Sequence, residues 1–301
     1  MGPAQVRVGV HACGINFADT LLIAGKYQLR PTPPFTPGME VAGEVLECGQ
    51  QVTRCRVGDR VLAIPDYGGF SQQVVVSEAD TFVIPDSMEA VVGAGFPVTY
   101  GTSHIALQWR AALQAREVLV VHGAAGGAGL SAVEIGKAMG AEVIATAGGS
   151  AKLAVAAAHG ADHLVDSRRE DVRERIRALT GNRGADVIYD PVGGDLFDMS
   201  LRSVAWGGRI LLIGFASGRV PQIPANIVMV KNIAVIGVHW GSYRTQAPGV
   251  LADSFAQLFA WYSEGLLKPH VADTYPLHEA GSALRALLSR KTTGKLVLVT
   301  R

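Results

Sequence analysis

Cysteine is scarce in this sequence: Cys13, Cys48 and Cys55 are all there is. The number is odd and no C-x-x-C pair occurs, which excludes a disulfide scaffold and a zinc knuckle of the usual spacing. A reducing compartment is the expectation. An excess of charge is missing too, since 27 Lys and Arg stand against 26 Asp and Glu, a net charge of +1. The chain thus lacks the basic surplus that nucleic acid or an anionic membrane attracts. No apolar run reaches the roughly 20 residues that cross a bilayer. Residues 1–11 show no signal-peptide pattern. A cytoplasmic protein is expected, with neither nucleic-acid nor membrane partner. What is abundant points the same way. Apolar residues reach 49% and charged residues only 18%, ample for a buried core and against disorder. The 301 residues suffice for two domains. The 36 glycines follow no collagen-like period, so they serve turns and close backbone approaches.

Two textures divide the chain. Residues 1–95 carry short apolar runs at 6–11, 41–48, 60–64, 70–76 and 81–84. Turn residues separate these runs, as in Pro37-Gly38, Val57-Gly58-Asp59 and Tyr67-Gly68-Gly69. Such punctuation predicts a β-rich, barrel-type domain. Over 96–242 the pattern changes. Continuous Val/Ile/Leu runs at 118–122, 143–147, 163–166, 186–190, 210–215 and 233–239 alternate with helical segments at 129–139, 151–159, 170–179 and 196–204. Strands that are apolar throughout, separated by helices, mean a parallel sheet covered on both faces. Six of them fit a doubly wound dinucleotide-binding domain. Residues 243–301 offer helices at 250–264 and 278–289 and a strand at 295–300, expected to return to the first domain.

The strongest local signal is VLVVHGAAGGAGL over residues 118–130. An apolar strand ends at His122, a turn with Gly123, Gly126 and Gly129 follows, and a helix begins. Small residues, Gly126 and Gly127 among them, let the backbone approach a pyrophosphate, and the helix N-terminus offers N–H donors and a positive dipole end. The turn is not a strict G-x-G-x-x-G, and a tight turn without ligand uses the same residues. The strand–turn–helix context favours the dinucleotide. A site for NAD places Asp or Glu about 20 residues on, at the end of the second strand. Here that strand runs into ATAGGSAK, residues 145–152, without a carboxylate. Ser150 and Lys152 are donors for a 2′-phosphate, and Arg168 adds a second cation. The expected cofactor is therefore NADPH.

In chain order, Gly49-x-x-Val52 with VGDRV at 57–61, the Gly123–Gly129 turn and Asp190-x-Val192-Gly193 resemble the medium-chain dehydrogenase/reductase superfamily. GINFADT at 14–20, Gly25-Lys26-Tyr27 and HGAAGG at 122–127 resemble its zinc-independent NADPH:quinone oxidoreductase branch, the zeta-crystallin-like family. The resemblance runs over essentially the whole chain. It implies a GroES-like catalytic domain, a Rossmann domain, and NADPH in the cleft between them. It implies a homodimer joined through the last Rossmann strands, here 233–239. It places Asn16 and Tyr27 beside the nicotinamide, Asn16 donating to a substrate carbonyl oxygen and Tyr27 doing the same or delivering a proton. By the same carry-over Thr102 meets the nicotinamide amide and Val192 the ribose or pyrophosphate. Phe215, Ala216, His239, Trp240 and Lys295 reach the cofactor, and Gly148 and Ser167 stand on the 2′-phosphate side. Other readings stay open: an Asx turn for Asn16, a packed loop aromatic for Tyr27, a buried dimer edge for Trp240.

The zinc-dependent branch has Cys at the position of Asn16 and His at that of Met39. An amide and an unpaired thioether replace those ligands poorly, and the four-cysteine lobe is absent, so no metal is expected. Glu40 then reads as a buried structural acid. The family also carries a further N-terminal stretch with a first strand, whose lack would expose a sheet edge. Ser167 and Leu21 stand where relatives have tyrosines. The expected reaction is hydride transfer to a quinone or related α,β-unsaturated carbonyl. The alternatives are reduction of an enoyl thioester of the acyl-CoA type and NADPH binding without catalysis.

Overall fold

The structure, a computed structural model, describes residues 1–300. The first strands are β1 (Gln5–Ile15), β2 (Val41–Cys48), β3 (Arg60–Ala63), β4 (Gln73–Ser77) and β5 (Thr81–Val83). Then come β6 (Val118–His122), β7 (Glu142–Ala147), β8 (His163–Asp166), β9 (Ala185–Asp190), β10 (Val204–Leu212) and β11 (Ala234–Gly237). The last two are β12 (Val271–Pro276) and β13 (Lys295–Val299). The chain forms two compact units. Unit 1 holds Met1–Gly101, Ser242–Ser263 and the chain from Pro269 onward; unit 2 holds Thr102–Gly241 and Glu264–Lys268. Among the described residues no helix is long and apolar enough to cross a membrane.

Unit 1 is built on a seven-stranded sheet in the order β12-β13-β1-β2-β3-β5, with β4 also pairing β1. Its core gathers Val6, Val8, Val10, Val41, Val45, Val61, Leu296 and Leu298. Strand β1 reaches beyond the expected 6–11 because Ala12, Cys13 and Ile15 are buried and pair with β13. One side of β1 carries β2. The other carries β4 along Gln5–Gly9 and β13 along Ala12–Ile15. Both edges of β1 are thus paired. Strand β12 escaped the sequence reading because its outer face is polar and Pro276 ends it. Proline suits a strand at the edge of a sheet, and β12 lies there, parallel to β13.

Unit 2 is a doubly wound sheet in the order β11-β10-β9-β6-β7-β8, every pairing parallel. Every residue of β6 is buried, as a continuous VLVVH run requires of a central strand. Strand order reverses on either side of β6, and ligands of such sheets bind at the carboxyl ends beside that reversal. The strand expected at 210–215 instead spans Val204–Leu212. It starts early through a bulge at Gly207 (φ +75°), and it ends at Leu212, after which the Ile213 and Gly214 N–H groups both donate to the Asp190 carbonyl, at 3.0 and 3.4 Å. The strand expected at 233–239 keeps only Ala234–Gly237.

Close packing of the first helix on its turn fixes the top of β6. A Cβ added to Gly129 would lie 2.2 Å from the Gly123 carbonyl oxygen and 2.7 Å from Ala124 Cα. Gly126 differs: its added Cβ meets only the Gly123 oxygen, at 3.5 Å. Gly129→Ala should therefore lose about 1–3 kcal/mol of unfolding free energy in urea, and Gly126→Ala much less. Equal losses would refute this account of the turn.

Candidate active site

In unit 2 the sequence-predicted residues collect at the carboxyl ends of the strands. Gly126 caps the 12-residue helix Gly127–Ala138, whose first N–H groups have no partner within the helix. Gly148 and Gly149 follow β7, and helix Ser150–Ala158 opens with Ser150 and carries Lys152 in its first turn. The Arg168 side chain lies over Gly148, where an added Cβ would meet its Nε at 2.6 Å. The Lys152 ammonium is pushed down by burial and then by the Arg168 charge. Ser167 follows β8, and its N–H donates to the Ala147 carbonyl at 3.0 Å. Asp166, at the end of β8, was not singled out from the sequence. Its Oδ1 accepts from the N–H groups of Gly149 (3.1 Å) and Arg168 (3.0 Å), and so shapes the turn that holds both.

The ends of β9 and β10 meet in the same way. Asp190 Oδ1 accepts from the N–H groups of Val192 (2.8 Å) and Gly193 (2.9 Å). The Ala216 N–H donates to the Pro191 carbonyl at 3.2 Å, and the Ser217 N–H to the Val192 carbonyl at 2.9 Å. Gly193 takes φ +66°, and its added Cβ would touch the Phe215 ring at 3.1 Å. The structure thus brings Val192, Phe215 and Ala216 together. Thr102 lies in helix Pro97–His104, while His239 and Trp240 follow β11, where Trp240 is buried at the start of a 3-10 turn. Burial pushes His104 down to about 4, so it is neutral at physiological pH, as a core helix histidine should be. His122 is likewise buried and pushed down, its ring bonded to Thr146 Oγ1 (2.9 Å) and Ser200 Oγ (2.8 Å).

In unit 1 a buried polar cluster surrounds Asn16. This residue precedes helix Phe17–Ile23, and its N–H donates to Asp19 Oδ2 at 2.8 Å. Its Nδ2 donates to Glu40 Oε1 at 2.8 Å, and its Oδ1 accepts from Lys295 Nζ at 2.9 Å. Lys295 Nζ also donates to Glu40 Oε1 (2.6 Å) and to the Ile15 carbonyl (2.8 Å). Glu40 Oε2 accepts from the Val98 N–H at 2.8 Å. Gly14 makes room, since a Cβ there would lie 2.3 Å from Glu40 Oε1. The sequence marks Glu40 as a buried acid and Lys295 as a cofactor contact. It has no signal that the two form an ion pair. Tyr27 is half-buried. Burial, and then the Asp19 charge, push its phenol up, which keeps the hydroxyl protonated and able to donate.

Asp19 is the group in this cluster whose titration the burial displaces most visibly. Burial raises its carboxyl from 3.8 to about 7, against the pull of the Asn16 N–H and of Lys295. The folded state then binds a proton that the unfolded state has released. That contribution to stability is complete below pH 3.8 and is lost as pH rises through about 7. The stability gap between the native chain and Asp19→Ala should accordingly shrink from pH 4 to pH 7.5 in urea titrations. A gap that is constant or grows with pH would refute the assignment.

Comparison with known proteins agrees with this architecture. Residues 2–86 match the alcohol dehydrogenase GroES-like domain, and residues 127–257 match the zinc-binding dehydrogenase domain. A quinone oxidoreductase-like protein 2 homolog of Nematostella vectensis is 40% identical over 304 aligned residues, covering 100% of this chain and 83% of the relative. The crystal structure of Escherichia coli quinone oxidoreductase complexed with NADPH superposes with a TM-score of 0.93 at 30% identity, covering 99% of this chain and 92% of that one. The CurK enoyl reductase superposes with a TM-score of 0.90 at 28% identity, covering 99% and 91%. With a GroES-like first domain, a doubly wound parallel sheet and relatives of this identity over its full length, the chain belongs to the quinone oxidoreductase family of the medium-chain dehydrogenase/reductases and is an oxidoreductase.

Proposed function

We propose that this chain reduces a quinone or a related α,β-unsaturated carbonyl with NADPH, without zinc. The observation that carries the proposal is the Arg168 side chain lying over Gly148 at the end of β7, with Lys152 in the first turn of the helix that follows and close enough to feel its charge, where an NAD site would hold a carboxylate. Asp166, the nearby acid, belongs to β8 and spends Oδ1 on backbone N–H groups. Gly126 and Gly127, at a helix N-terminus, suit the pyrophosphate. Ser150, Lys152 and Arg168 with Gly148 and Ser167 suit the 2′-phosphate. Val192, Phe215, Ala216, Thr102, His239 and Trp240 are assigned to the rest of the cofactor. NADPH, when bound, supplies the hydride. The chain's own part is to orient and to handle charge and proton. The Asn16 amide N–H donates to the acceptor oxygen as charge gathers there. The Tyr27 hydroxyl, kept protonated by its surroundings, donates a second bond or the proton.

Zinc fits the residues poorly. The Asn16 Oδ1 already accepts from an ammonium, Glu40 is already paired with that ammonium, and Met39 offers only a thioether. A second reading, enoyl-thioester reduction, is favoured by the likeness to the CurK enoyl reductase. The three free cysteines fit the reducing cytoplasm.

The test is a fluorescence titration with NADPH and NADH, followed by 1,4-naphthoquinone or crotonyl-CoA. NADPH should bind and be oxidised by the quinone. Lys152→Ala should weaken NADPH roughly 10-fold or more and leave NADH nearly unchanged. Turnover with crotonyl-CoA alone selects the second reading, and binding without turnover leaves a cofactor-binding protein. Equal losses for both cofactors would overturn the 2′-phosphate assignment.

We also propose a homodimer through β11. That strand ends its sheet, and exposed Val220, Met229 and Val230 lie close to it in the chain. A strand edge with apolar neighbours pairs readily with a second copy. Sedimentation at micromolar concentration should give twice the 31.6 kDa chain mass; a monomer would overturn the proposal.

A further inference from the structure

We propose that Lys295 is a positioning residue that fixes the polarity of the Asn16 amide, so that Asn16 turns an N–H to a substrate and the site favours an oxygen acceptor. The choice of acceptor rests on the proposed placement of Asn16 at the reacting oxygen; the positioning itself does not.

The argument begins with what each group is able to do. An ammonium only donates hydrogen bonds, and a carboxylate only accepts them. The Asn16 amide lies between one of each, 2.9 Å from Lys295 Nζ through Oδ1 and 2.8 Å from Glu40 Oε1 through Nδ2. A reversed amide would set NH2 against the ammonium and C=O against the carboxylate, losing both bonds. Its orientation is thus dictated by its neighbours. Among the described residues Nδ2 makes its one hydrogen bond to Glu40, and its second hydrogen is what remains for a ligand.

Lys295 itself has nothing left to offer. Its three hydrogens go to the Ile15 carbonyl, Asn16 Oδ1 and Glu40 Oε1. Any influence on a cofactor or substrate therefore passes through Asn16. The ammonium is delivered by register: β13 pairs with β1 so that Ile15 faces Leu296, which brings the adjacent Lys295 beside Asn16. Its stem runs over Gly95, where an added Cβ would meet Lys295 Cβ and Cγ at 3.3 Å. Both charges are nearly out of solvent, with side-chain exposures of 8% for Lys295 and 0% for Glu40. A buried ion pair is a poor device for stability, since apolar residues of similar volume often serve as well. Its use here is orientation.

The experiment combines kinetics with a readout that needs no turnover. The chain has four asparagines, Asn16, Asn182, Asn226 and Asn232, so 15N-asparagine labelling gives four side-chain amide pairs, with Asn16 identified by its loss in Asn16→Asp. In Lys295→Met the Asn16 pair should shift and exchange faster while the other three stay. The kcat with 1,4-naphthoquinone should fall roughly 10-fold or more, with NADPH affinity held within about threefold. An unmoved Asn16 pair, or NADPH affinity falling as far as kcat, would overturn the proposal. A shifted pair in a protein whose native form reduces no quinone keeps the positioning and sinks the proposed function instead. Should Lys295→Met fail to fold, the double variant Glu40→Gln/Lys295→Met removes both charges together and is read in the same way.

Discussion

A carboxylate and an ammonium taken out of water must each be fully partnered, or the fold loses several kcal/mol at that point. Unit 1 meets that requirement around Glu40 and Lys295. Three strands contribute to it. β1 ends in Ile15, whose carbonyl takes one hydrogen of the ammonium; the residue before β2 is Glu40; and β13 opens with Lys295. Val98 supplies the N–H that takes the other carboxylate oxygen. Gly14 and Gly95 are small because a side chain at the first would collide with Glu40 and one at the second would crowd the Lys295 stem. Asn16 thus belongs to a network whose charged members have no freedom.

Unit 2 applies the same economy of hydrogen bonds to backbone. Turns at the carboxyl ends of parallel strands leave N–H groups without sheet partners, and buried N–H groups must find acceptors. Asp166 and Asp190 provide them. Each is the last residue of its strand and turns Oδ1 onto two loop N–H groups, Asp190 onto Val192 and Gly193 of the following loop, Asp166 onto Arg168 of its own loop and Gly149 of the loop after β7. This explains why two acids at strand ends coexist with a site read as preferring a 2′-phosphate. Neither stands at the end of β7, and in each Oδ1 is already held by backbone donors. The ribose-binding acid of an NAD site must instead stand at the end of the second strand and face outward.

Much of unit 2 was legible because its signals are local. A run such as VLVVH followed by small residues and a helix states strand, turn and cap within about a dozen positions. The start of β10 was less legible, since a glycine bulge decides it, not hydrophobicity. Strand β12 was missed because half its residues face solvent and prolines surround it. Helix Phe17–Ile23 was missed as well: it has 7 residues, too few for a clear 3.6 period. The Glu40–Lys295 pair lies beyond any such reading. Its partners stand 255 positions apart, and only the pairing of β1 with β13 brings them together. Likewise, the commitment of Asp166 and Asp190 to backbone N–H groups appears only in three dimensions.

The buried ammonium also bears on the chemistry such a site is suited to. A catalytic zinc keeps one coordination position open and polarises a substrate oxygen directly. An ammonium whose three hydrogens are spent on Ile15, Asn16 and Glu40 has no such position. What it delivers outward is a fixed amide dipole, a neutral hydrogen-bond donor weaker than a Lewis acid. A weak donor is sufficient where the acceptor is already electron-poor and its reduced form spreads charge over a conjugated system. It is a poor partner for an unactivated carbonyl or for ionising an alcohol. Quinones and enones meet the first description. The substitution of a side-chain cation for a metal therefore argues, on electrostatic grounds, for the same class of acceptor that the family resemblance suggests.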